Sequence, residues 1–341
     1  MRERRLASEA VGINKLWRLL PCAAVIATFS LPAEAVPQPP PPGPVLHTPA
    51  SALNTALSCG GDVDDSGTAR PVLLVHGTGL SAAETWDWGY RRALGSLNRP
   101  VCVLDLPGKA MDDMQDAAEY VVHAIRTIAA RSGNKVSVVS YDQGGVLALW
   151  ALRFWPDIRS TVDDYVGLGV PYRGSRAAAE HCVRNPLCQP AVRQLHPESQ
   201  LIRNVNLGQL PPGPSYTSIH TLFDELVTPQ PTASLLPEAT NIATQVFCPL
   251  RHTGHLTLLA DAVAYALTVD ALEHSGPADP RRISPFLCAE RALPGADLVA
   301  MATSLPLLRP NELFDVVGGQ ATETEPPLRC YVGGTCAPSA R

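Results

Sequence analysis

The sequence predicts an α/β fold in which helices cover both faces of a mostly parallel central sheet. Short apolar runs with the character of strands alternate with helical segments, and the connections between them are short, a pattern typical of parallel sheets. The clearest unit consists of a β-branched run over residues 136–139, a turn rich in small residues, and a helix over residues 146–155 that is apolar on nearly every side. Both elements are expected to be buried.

The composition favours one large domain with additional segments. The chain has 341 residues, of which 45% are hydrophobic and 17% charged, so it can bury a substantial core. Its formal net charge is −5, and because the N-terminal segment is net basic, the remainder is more acidic still. An acidic domain argues against binding to nucleic acid and against anchoring on anionic lipid.

Residues 1–35 are predicted to be a secretory signal peptide. Basic residues precede an apolar run over residues 19–31, and Ala33-Glu34-Ala35 matches a small-x-small cleavage site. The run is short and interrupted by proline, which leaves an uncleaved membrane anchor as the lesser alternative. A Pro-rich linker over residues 36–50 follows, and the folded domain is expected to occupy residues 51–341. We therefore expect a secreted, extracellular protein.

The cysteine count fits export. One of the nine cysteines, Cys22, lies in the predicted signal peptide, and the even number that remains suggests disulfides in an exported chain. Eight cysteines allow about 105 pairings, so the count alone leaves the partners open. The sequence has no C-x-x-C pair and no spacing typical of a zinc site, so no metal site is expected.

The first half of the domain contains the elements expected at the centre of the sheet. Its predicted strands cover residues 71–76, 101–105, 136–139 and 165–170. The first strand runs into Gly77-Thr78-Gly79, a turn whose backbone N–H groups can point at a ligand. A helix over residues 114–130 is indicated by apolar side chains on one face and aspartates near its start.

The second half is less regular. The pattern breaks down over residues 174–214, a long irregular insertion of the kind that usually forms a lid or binding loop. Strands are predicted again at residues 216–221 and 241–247, and an amphipathic helix at residues 256–274. The tail over residues 276–341 is Pro-rich, so we expect disulfides to hold it against the domain rather than a core of its own.

The central turn carries the functional argument. Ser140-Tyr141-Asp142-Gln143-Gly144 has the spacing of the nucleophile elbow of α/β-hydrolases, a strained strand-to-helix turn that exposes one side chain. That position normally holds serine, and here it holds Asp142. Ser140 cannot easily take over this role, because it occupies the small position two residues earlier.

The remaining catalytic candidates follow later strands. Triads of this fold occur in the chain order nucleophile, acid, histidine, which gives Asp142, Asp224 and His255. The oxyanion donors would be the backbone N–H groups of Thr78 and Gln143, together with the Thr78 hydroxyl. Each residue also has a simpler interpretation. Asp224 could cap a turn, His252 and His255 could be surface residues, and His76 more readily supports the neighbouring turn than acts as a base.

The chain resembles the Candida antarctica lipase B family from about residue 51 to its C-terminus. The matching stretches are residues 69–79, 143–145, 154–160, 171–174 and 224–230. The resemblance implies a secreted serine hydrolase that acts on triacylglycerols and other carboxylic esters without a cofactor. It also implies a monomer that contacts a lipid–water interface transiently.

Several roles follow from this resemblance by position. Asp224 matches the triad acid, and Thr78 and Gln143 match the oxyanion residues. His255 matches the triad base better than His252, because its distance to the downstream Ala264-Tyr265 agrees without a gap, and Tyr141 matches a bulky aromatic residue of the substrate pocket. The disulfides implied by the family are Cys59–Cys102, Cys248–Cys288 and Cys330–Cys336, and Cys182–Cys188 would be an additional disulfide in the lid region.

The departure at Asp142 leaves three functional hypotheses. The first hypothesis is a lipase or esterase by descent with impaired ester activity, because a carboxylate that attacks an acyl carbon gives a reactive anhydride. The second is a non-catalytic protein that binds lipids or esters. The third is an Asp-nucleophile hydrolase of the epoxide or haloalkane type, since a carboxylate can attack a saturated carbon to give an ordinary ester. The third lacks the leaving-group stabilisers that such enzymes use.

Overall fold

The computed structural model describes residues 41–60, 63–64, 67, 69–304, 310–316 and 320–333. The chain divides at Gln38–Pro39, and all of the described residues belong to the second unit, Pro39–Arg341. The predicted signal peptide and the first part of the linker lie outside the described residues.

The second unit is built on a seven-stranded sheet. In chain order the strands are β1 (Leu57–Gly60), β2 (Val72–Val75), β3 (Val101–Leu104), β4 (Val136–Tyr141), β5 (Val162–Leu168), β6 (Ser215–His220) and β7 (Thr240–Ala243). They lie in the order β1-β3-β2-β4-β5-β6-β7. All neighbours are parallel except β1, which pairs antiparallel with β3. The prediction of a mostly parallel α/β fold is therefore confirmed.

The helices surround this sheet. They are α1 (Ala50–Ala56), α2 (Tyr90–Gly95), α3 (Met114–Ser132), α4 (Gln143–Phe154), α5 (Arg176–Arg184), α6 (Pro190–Gln194), α7 (Gln200–Val205), α8 (Thr244–Phe247), α9 (His255–Leu258), α10 (Ala262–Glu273) and α11 (Leu298–Ser304). Helices α3 and α4 pack together against the central strands, and α10 packs on β5 and β6. None of the helices within the described ranges is long and apolar enough to cross a lipid bilayer.

The close contact between β2 and α4 explains the small residues after the elbow. Every residue of β2 and β4 is buried. A methyl group added to Gly144 would lie 2.5 Å from the carbonyl oxygens of both Val75 and His76. Only glycine lets the first turn of α4 pass this close to the backbone of its neighbour.

Three predicted elements of the second half are wrong in part. The insertion at residues 174–214 is not irregular, because it contains the short helices α5, α6 and α7. The strand predicted at 241–247 ends at Ala243 and continues as α8. The helix predicted at 256–274 is split into α9 and α10, since the Asp261 side chain accepts hydrogen bonds from Val263 and Ala264 and starts a new helix. Helix α10 is also buried on most sides rather than amphipathic.

Disulfides fasten the edges of the domain. Cys59–Cys102 joins β1 to β3, Cys182–Cys188 closes a loop in the insertion, and Cys248–Cys288 links the chain after α8 to the C-terminal tail. Cys330 is also disulfide-bonded. Its expected partner, Cys336, lies outside the described residues.

The N-terminal linker and the C-terminal tail both contact the domain. The carbonyl of Pro44 accepts a hydrogen bond from the Trp155 indole (2.8 Å), and Glu119 accepts two from the backbone of residues 47–48. In the tail, Tyr331 packs against three aromatic side chains, Trp150, Phe154 and Trp155. The last residues of the linker are therefore part of the packed unit.

Candidate active site

Three predicted catalytic residues meet at the C-terminal edge of the sheet. Asp142 directly follows β4, Asp224 follows β6, and His255 begins α9. The His255 Nδ1 lies 2.8 Å from Asp224 Oδ2, and its Nε2 lies 3.8 Å from Asp142 Oδ1. His252 is exposed and its ring contacts Phe223 instead. The structure thus brings His255, rather than His252, to the acid.

The elbow holds Asp142 in a strained backbone conformation. Its φ and ψ angles are 50° and −129°, a region that residues other than glycine rarely adopt, at a cost on the order of 1–3 kcal/mol. The Asp142 N–H donates to the carbonyl of Leu168, and the Asp142 carbonyl accepts from Gly145, each at 3.0 Å. Ser140 is buried and donates to the Val166 carbonyl, so its hydroxyl is directed away from this site.

The Asp142 carboxylate occupies the position expected for an oxyanion. The backbone N–H of Thr78 donates to Asp142 Oδ2 at 2.9 Å. Gly77 provides the space, because a Cβ at that residue would lie 2.6 Å from the same oxygen. One of the two predicted oxyanion donors is therefore already bonded to a negative charge of the protein itself.

The Thr78 hydroxyl has a different partner from the one predicted. It donates to Gln143 Oε1 at 2.8 Å, and Gln143 Nε2 donates to the Ala110 carbonyl at 2.9 Å. All three of these residues are buried. The hydroxyl, expected to add to the oxyanion donors, is thus bonded to the side chain of Gln143.

Asp224 is fixed by backbone donors. Its Oδ1 accepts hydrogen bonds from the N–H groups of Leu226 (3.0 Å) and Val227 (2.7 Å), while Oδ2 faces His255. The carboxylate therefore caps a local turn and orients the imidazole at the same time. The simpler interpretation of Asp224 as a turn cap and its assignment as the triad acid are compatible.

His255 lies among three carboxylates. Burial lowers the pKa of His255, but Asp224, Asp142 and Glu225 raise it, with the net result of a pKa of about 9. Glu225 also accepts a hydrogen bond from the His255 backbone N–H at 2.9 Å. At neutral pH the imidazole is consequently protonated, and it forms an ion pair with Asp142 on one side and Asp224 on the other.

Tyr141 packs beneath the imidazole. Its ring centroid lies 4.8 Å from that of His255, its hydroxyl donates to the His255 carbonyl, and the side chain is buried. The resemblance places this residue in the substrate pocket, whereas the contacts described here are with His255.

The sequence analysis did not identify the residues that hold the loop before His255 in place. Arg251 and Asp261 form a buried ion pair, and the Thr253 hydroxyl donates to the same Asp261 oxygen. The Arg251 guanidinium also donates to the carbonyls of Leu287 and Glu290 in the tail. These residues lie outside any periodic element, so only their positions near His255 could have indicated them.

His76 and the C-terminal tail complete the surroundings. The His76 Nδ1–H donates to the Gly77 carbonyl and Nε2 accepts from Leu106, and burial lowers the pKa of this imidazole. It therefore supports the neighbouring turn at residues 77–79, as the sequence suggested. Leu313 of the tail covers the same turn, since its carbonyl oxygen would lie 2.6 Å from a Cβ at Gly79.

Within the described ranges, no cluster of three or more His, Cys, Asp or Glu side chains could hold a metal ion. What the arrangement offers is an imidazole between two carboxylates next to backbone N–H donors. With a hydroxyl nucleophile in place of the Asp142 carboxylate, such a set of groups performs acyl transfer.

We expect the stability of the protein to fall as the pH rises from about 6.5 to about 9. The pKa of His255 is raised from 6.5 to about 9 in the folded state, so its protonation stabilises the fold fully below 6.5 and is lost as the pH passes 9. The loss should reach about 3 kcal/mol in the free energy of unfolding. Denaturant titrations across this range measure it.

The matched control for this titration is Asp142→Asn. It removes one of the charges that raise the pKa of His255 and should flatten the pH dependence. An equal slope in the two proteins would show that Asp142 does not contribute to the dependence.

Comparisons with known proteins place these features in context. No protein-family model matches the sequence. Lipase B of Pseudozyma antarctica is 30% identical over 328 residues, which cover 93% of this chain and 95% of that protein. A triacylglycerol lipase of Burkholderia plantarii is 27% identical over 118 residues, covering 33% of this chain and 32% of that protein.

Solved structures show the same relationship. Lipase B of Aspergillus fumigatus superposes with a TM-score of 0.76 at 26% identity, covering 87% of this chain and 77% of that one. The mature form of a Bacillus licheniformis lipase gives a TM-score of 0.51 at 19% identity, covering 63% of this chain and 97% of that one, and this similarity concerns the fold alone.

Proposed function

The chain belongs to the lipase B family of α/β-hydrolases, and we propose that it is a member whose ester hydrolysis is strongly reduced by Asp142. The substrate class that we propose is that of carboxylic esters of the triacylglycerol type, since similar proteins are lipases. The catalytic roles that we propose are the triad acid for Asp224 and the triad base for His255. The proposed oxyanion donors are the N–H groups of Thr78 and Gln143.

A single observation supports the reduced activity: the Asp142 carboxylate accepts a hydrogen bond from the Thr78 N–H and forms an ion pair with His255. Ester hydrolysis by this fold needs a hydroxyl nucleophile, a vacant oxyanion hole and a neutral imidazole that can accept a proton. The Asp142 carboxylate stands in the place of the nucleophile and accepts the hydrogen bond of the Thr78 N–H. It also helps to keep His255 protonated.

The test compares hydrolysis of a short-chain p-nitrophenyl ester by the native protein and by Asp142→Ser. A native protein that hydrolyses the ester, with activity lost in His255→Ala, would contradict the proposed impairment. Inactivity of both proteins would favour the second candidate, a non-catalytic lipid- or ester-binding protein, which the buried ion pair also favours. That candidate predicts a lipid affinity unchanged in His255→Ala.

The Asp-nucleophile alternative has less support from the geometry. In-line displacement at a saturated carbon places the leaving group opposite the nucleophile. His255 lies beside Asp142, so it is not placed to stabilise that leaving group. The buried hydroxyls of Tyr165 and Tyr172 are bonded to each other at 3.0 Å, and Tyr165 donates to the Gly145 carbonyl behind the elbow. This pair is therefore not available as a leaving-group acid. A covalent alkyl group on Asp142 after incubation with an epoxide would establish the alternative.

We further propose that the protein is exported, with residues 1–35 removed as a signal peptide. The sequence pattern of that segment and the disulfides of the domain support export, because disulfides persist in oxidising compartments. N-terminal sequencing of the protein recovered from a culture medium should give a chain that begins at Val36. Recovery only from the membrane, with the N-terminus intact, would contradict this proposal.

A further inference from the structure

An acidic groove lies between α1, the loop after β3 and the start of α3. Two adjoining cavities of about 450 and 590 Å³ form it, and both are lined by Pro107 and Tyr120. Side chains of α1 complete the first cavity, and residues 47–49 of the linker and Arg329 of the tail help to line the second. None of the three catalytic candidates lines either cavity. Cavities of this volume are typical of small-molecule sites.

The acidic groove carries an excess of negative charge. Its lining includes four carboxylates, Asp105, Asp112, Asp113 and Asp116. Arg329 forms ion pairs with Asp113 and Asp116, and the Asp113 side chain also caps α3. Within the described ranges, neither Asp105 nor Asp112 pairs with a lysine or an arginine. The excess charge of the acidic groove therefore lies on these two side chains.

The surroundings of Asp105 and Asp112 leave both carboxylates open to a cation. The Asp105 side chain is 60% exposed and lies 3.8 Å from His76, an imidazole whose pKa is lowered by burial. Its Oδ1 accepts from the Ala82 N–H at 2.8 Å, which leaves Oδ2 available. Asp112 is half-buried and accepts no hydrogen bond from any residue that the structure describes. Burial and the charge of Asp113 raise the pKa of Asp112, as expected for a carboxylate without a cation beside it.

Tyr120 lies between the two cavities. The residue is only 9% exposed, yet its hydroxyl makes no hydrogen bond to any residue in the described part of the chain. Burial and the charges of Asp112, Asp116 and Glu119 raise the pKa of Tyr120, so the hydroxyl faces the acidic side of the groove and stays protonated at neutral pH. Buried polar side chains normally have a hydrogen-bond partner. A hydroxyl without one at the wall of a cavity indicates that a ligand supplies it.

We propose that the acidic groove binds a linear polyamine, with one ammonium group at Asp105, a second at Asp112 and the Tyr120 hydroxyl accepting from a nitrogen between them. Four carboxylates would repel an anion. A metal ion is not indicated, since no cluster of three or more His, Cys, Asp or Glu side chains in the described ranges could hold one. Methylene groups between the nitrogens would contact the apolar part of the lining, which consists of Ala52, Ala56, Pro107, Ala110 and Ala117.

Calorimetric titration of the native protein with spermidine at low ionic strength tests this proposal. We expect saturable binding at one site per chain that weakens as salt is added, because salt screens exposed charges. Asp112→Asn keeps the shape of the side chain and removes its charge, and it should raise Kd about tenfold. Tyr120→Phe removes only the hydroxyl and should raise Kd about fivefold. Neither side-chain group has a hydrogen-bond partner among the described residues, so both variants should remain folded.

Glu290→Gln is the matched control, because it removes one negative charge from an exposed side chain outside the acidic groove. It should change Kd by less than about twofold. Equal weakening by Glu290→Gln and Asp112→Asn would show a diffuse attraction and overturn the proposal, as would the absence of saturable binding. Butylamine reaches only one of the two carboxylates, so equally tight binding of butylamine would also overturn it. Tighter binding of tetralysine than of spermidine would assign the acidic groove to a basic protein segment instead.

A second measurement locates the bound polyamine. In ¹H–¹⁵N spectra, spermidine should shift the amide signals of residues 51–56 and 105–120 and leave those of residues 224–227 and 253–257 unchanged. Shifts centred on the second pair of ranges would place the cation at the carboxylates of the candidate active site and overturn the inference. Both measurements report binding rather than ester hydrolysis, so their failure would leave the proposed function standing, and a failure of the proposed function would leave the inference standing.

Discussion

Replacing Asp142 with serine should raise kcat/KM for a short-chain p-nitrophenyl ester by a factor on the order of 10³ to 10⁶. The estimate follows from the cost of losing the nucleophile of a Ser-His-Asp triad, about 10⁶ in kcat. Three changes act in the same direction. The variant gains a hydroxyl nucleophile, frees the Thr78 N–H that Asp142 now occupies, and removes one of the charges that raise the pKa of His255.

The control that separates these changes is Asp142→Asn. It removes the charge and retains an oxygen that can accept from Thr78, but it provides no nucleophile. We expect it to lower the pKa of His255 without creating ester activity. If Asp142→Asn and Asp142→Ser were equally active, a nucleophile elsewhere or direct water attack would have to carry the reaction, and the assignment of position 142 as the nucleophile would be wrong.

The elements that sequence reasoning located are those with a strong local pattern. Strands β2 and β4 are buried over their whole length, so β2 is a continuous apolar run and β4 is rich in valine. Strand β1 escaped prediction because it is a four-residue edge strand that is only partly buried. Helices α6 and α7 have five and six residues, too few to display a helical period, and they form within a segment rich in proline.

The features of the candidate site also fall into those that leave a local pattern in the sequence and those that do not. The chain order and the strand ends indicated Asp142, Asp224 and the loop that carries His252 and His255, because the position of a residue after a strand is a property of the backbone. The choice of His255 over His252 came from the family resemblance. Two features depend on side-chain rotamers and on the positive φ angles of residues 108–110. They are the hydrogen bond from the Thr78 N–H to the Asp142 carboxylate and the hydrogen bond from the Gln143 side chain to the Ala110 carbonyl. Neither leaves a periodic signal in the sequence.

Replacing Asp224 with asparagine in the Asp142→Ser background should lower kcat by about 10⁴, the loss known for the same change in a serine protease triad. Here the structure indicates why. Oδ1 of Asp224 accepts from the N–H groups of Leu226 and Val227, so the oxygen of an asparagine would remain there. Its amide nitrogen would then face His255 Nδ1, which must become an acceptor. The proton of the neutral imidazole would lie on Nε2, where it cannot accept the proton of the serine.

Glu225→Gln is the matched control, because it removes one negative charge that also raises the pKa of His255 without affecting the tautomer. Glu225 accepts a hydrogen bond from the backbone N–H of His255, and a glutamine oxygen can continue to do so. We expect kcat to change by less than about tenfold. Thermal denaturation should show that both variants are folded. If the two substitutions reduced kcat equally, Asp224 would act through its charge alone, and the orienting role that we derive from its two backbone hydrogen bonds would be wrong. A loss specific to Asp224→Asn would instead show that the turn that caps Asp224 also selects the catalytic tautomer of His255.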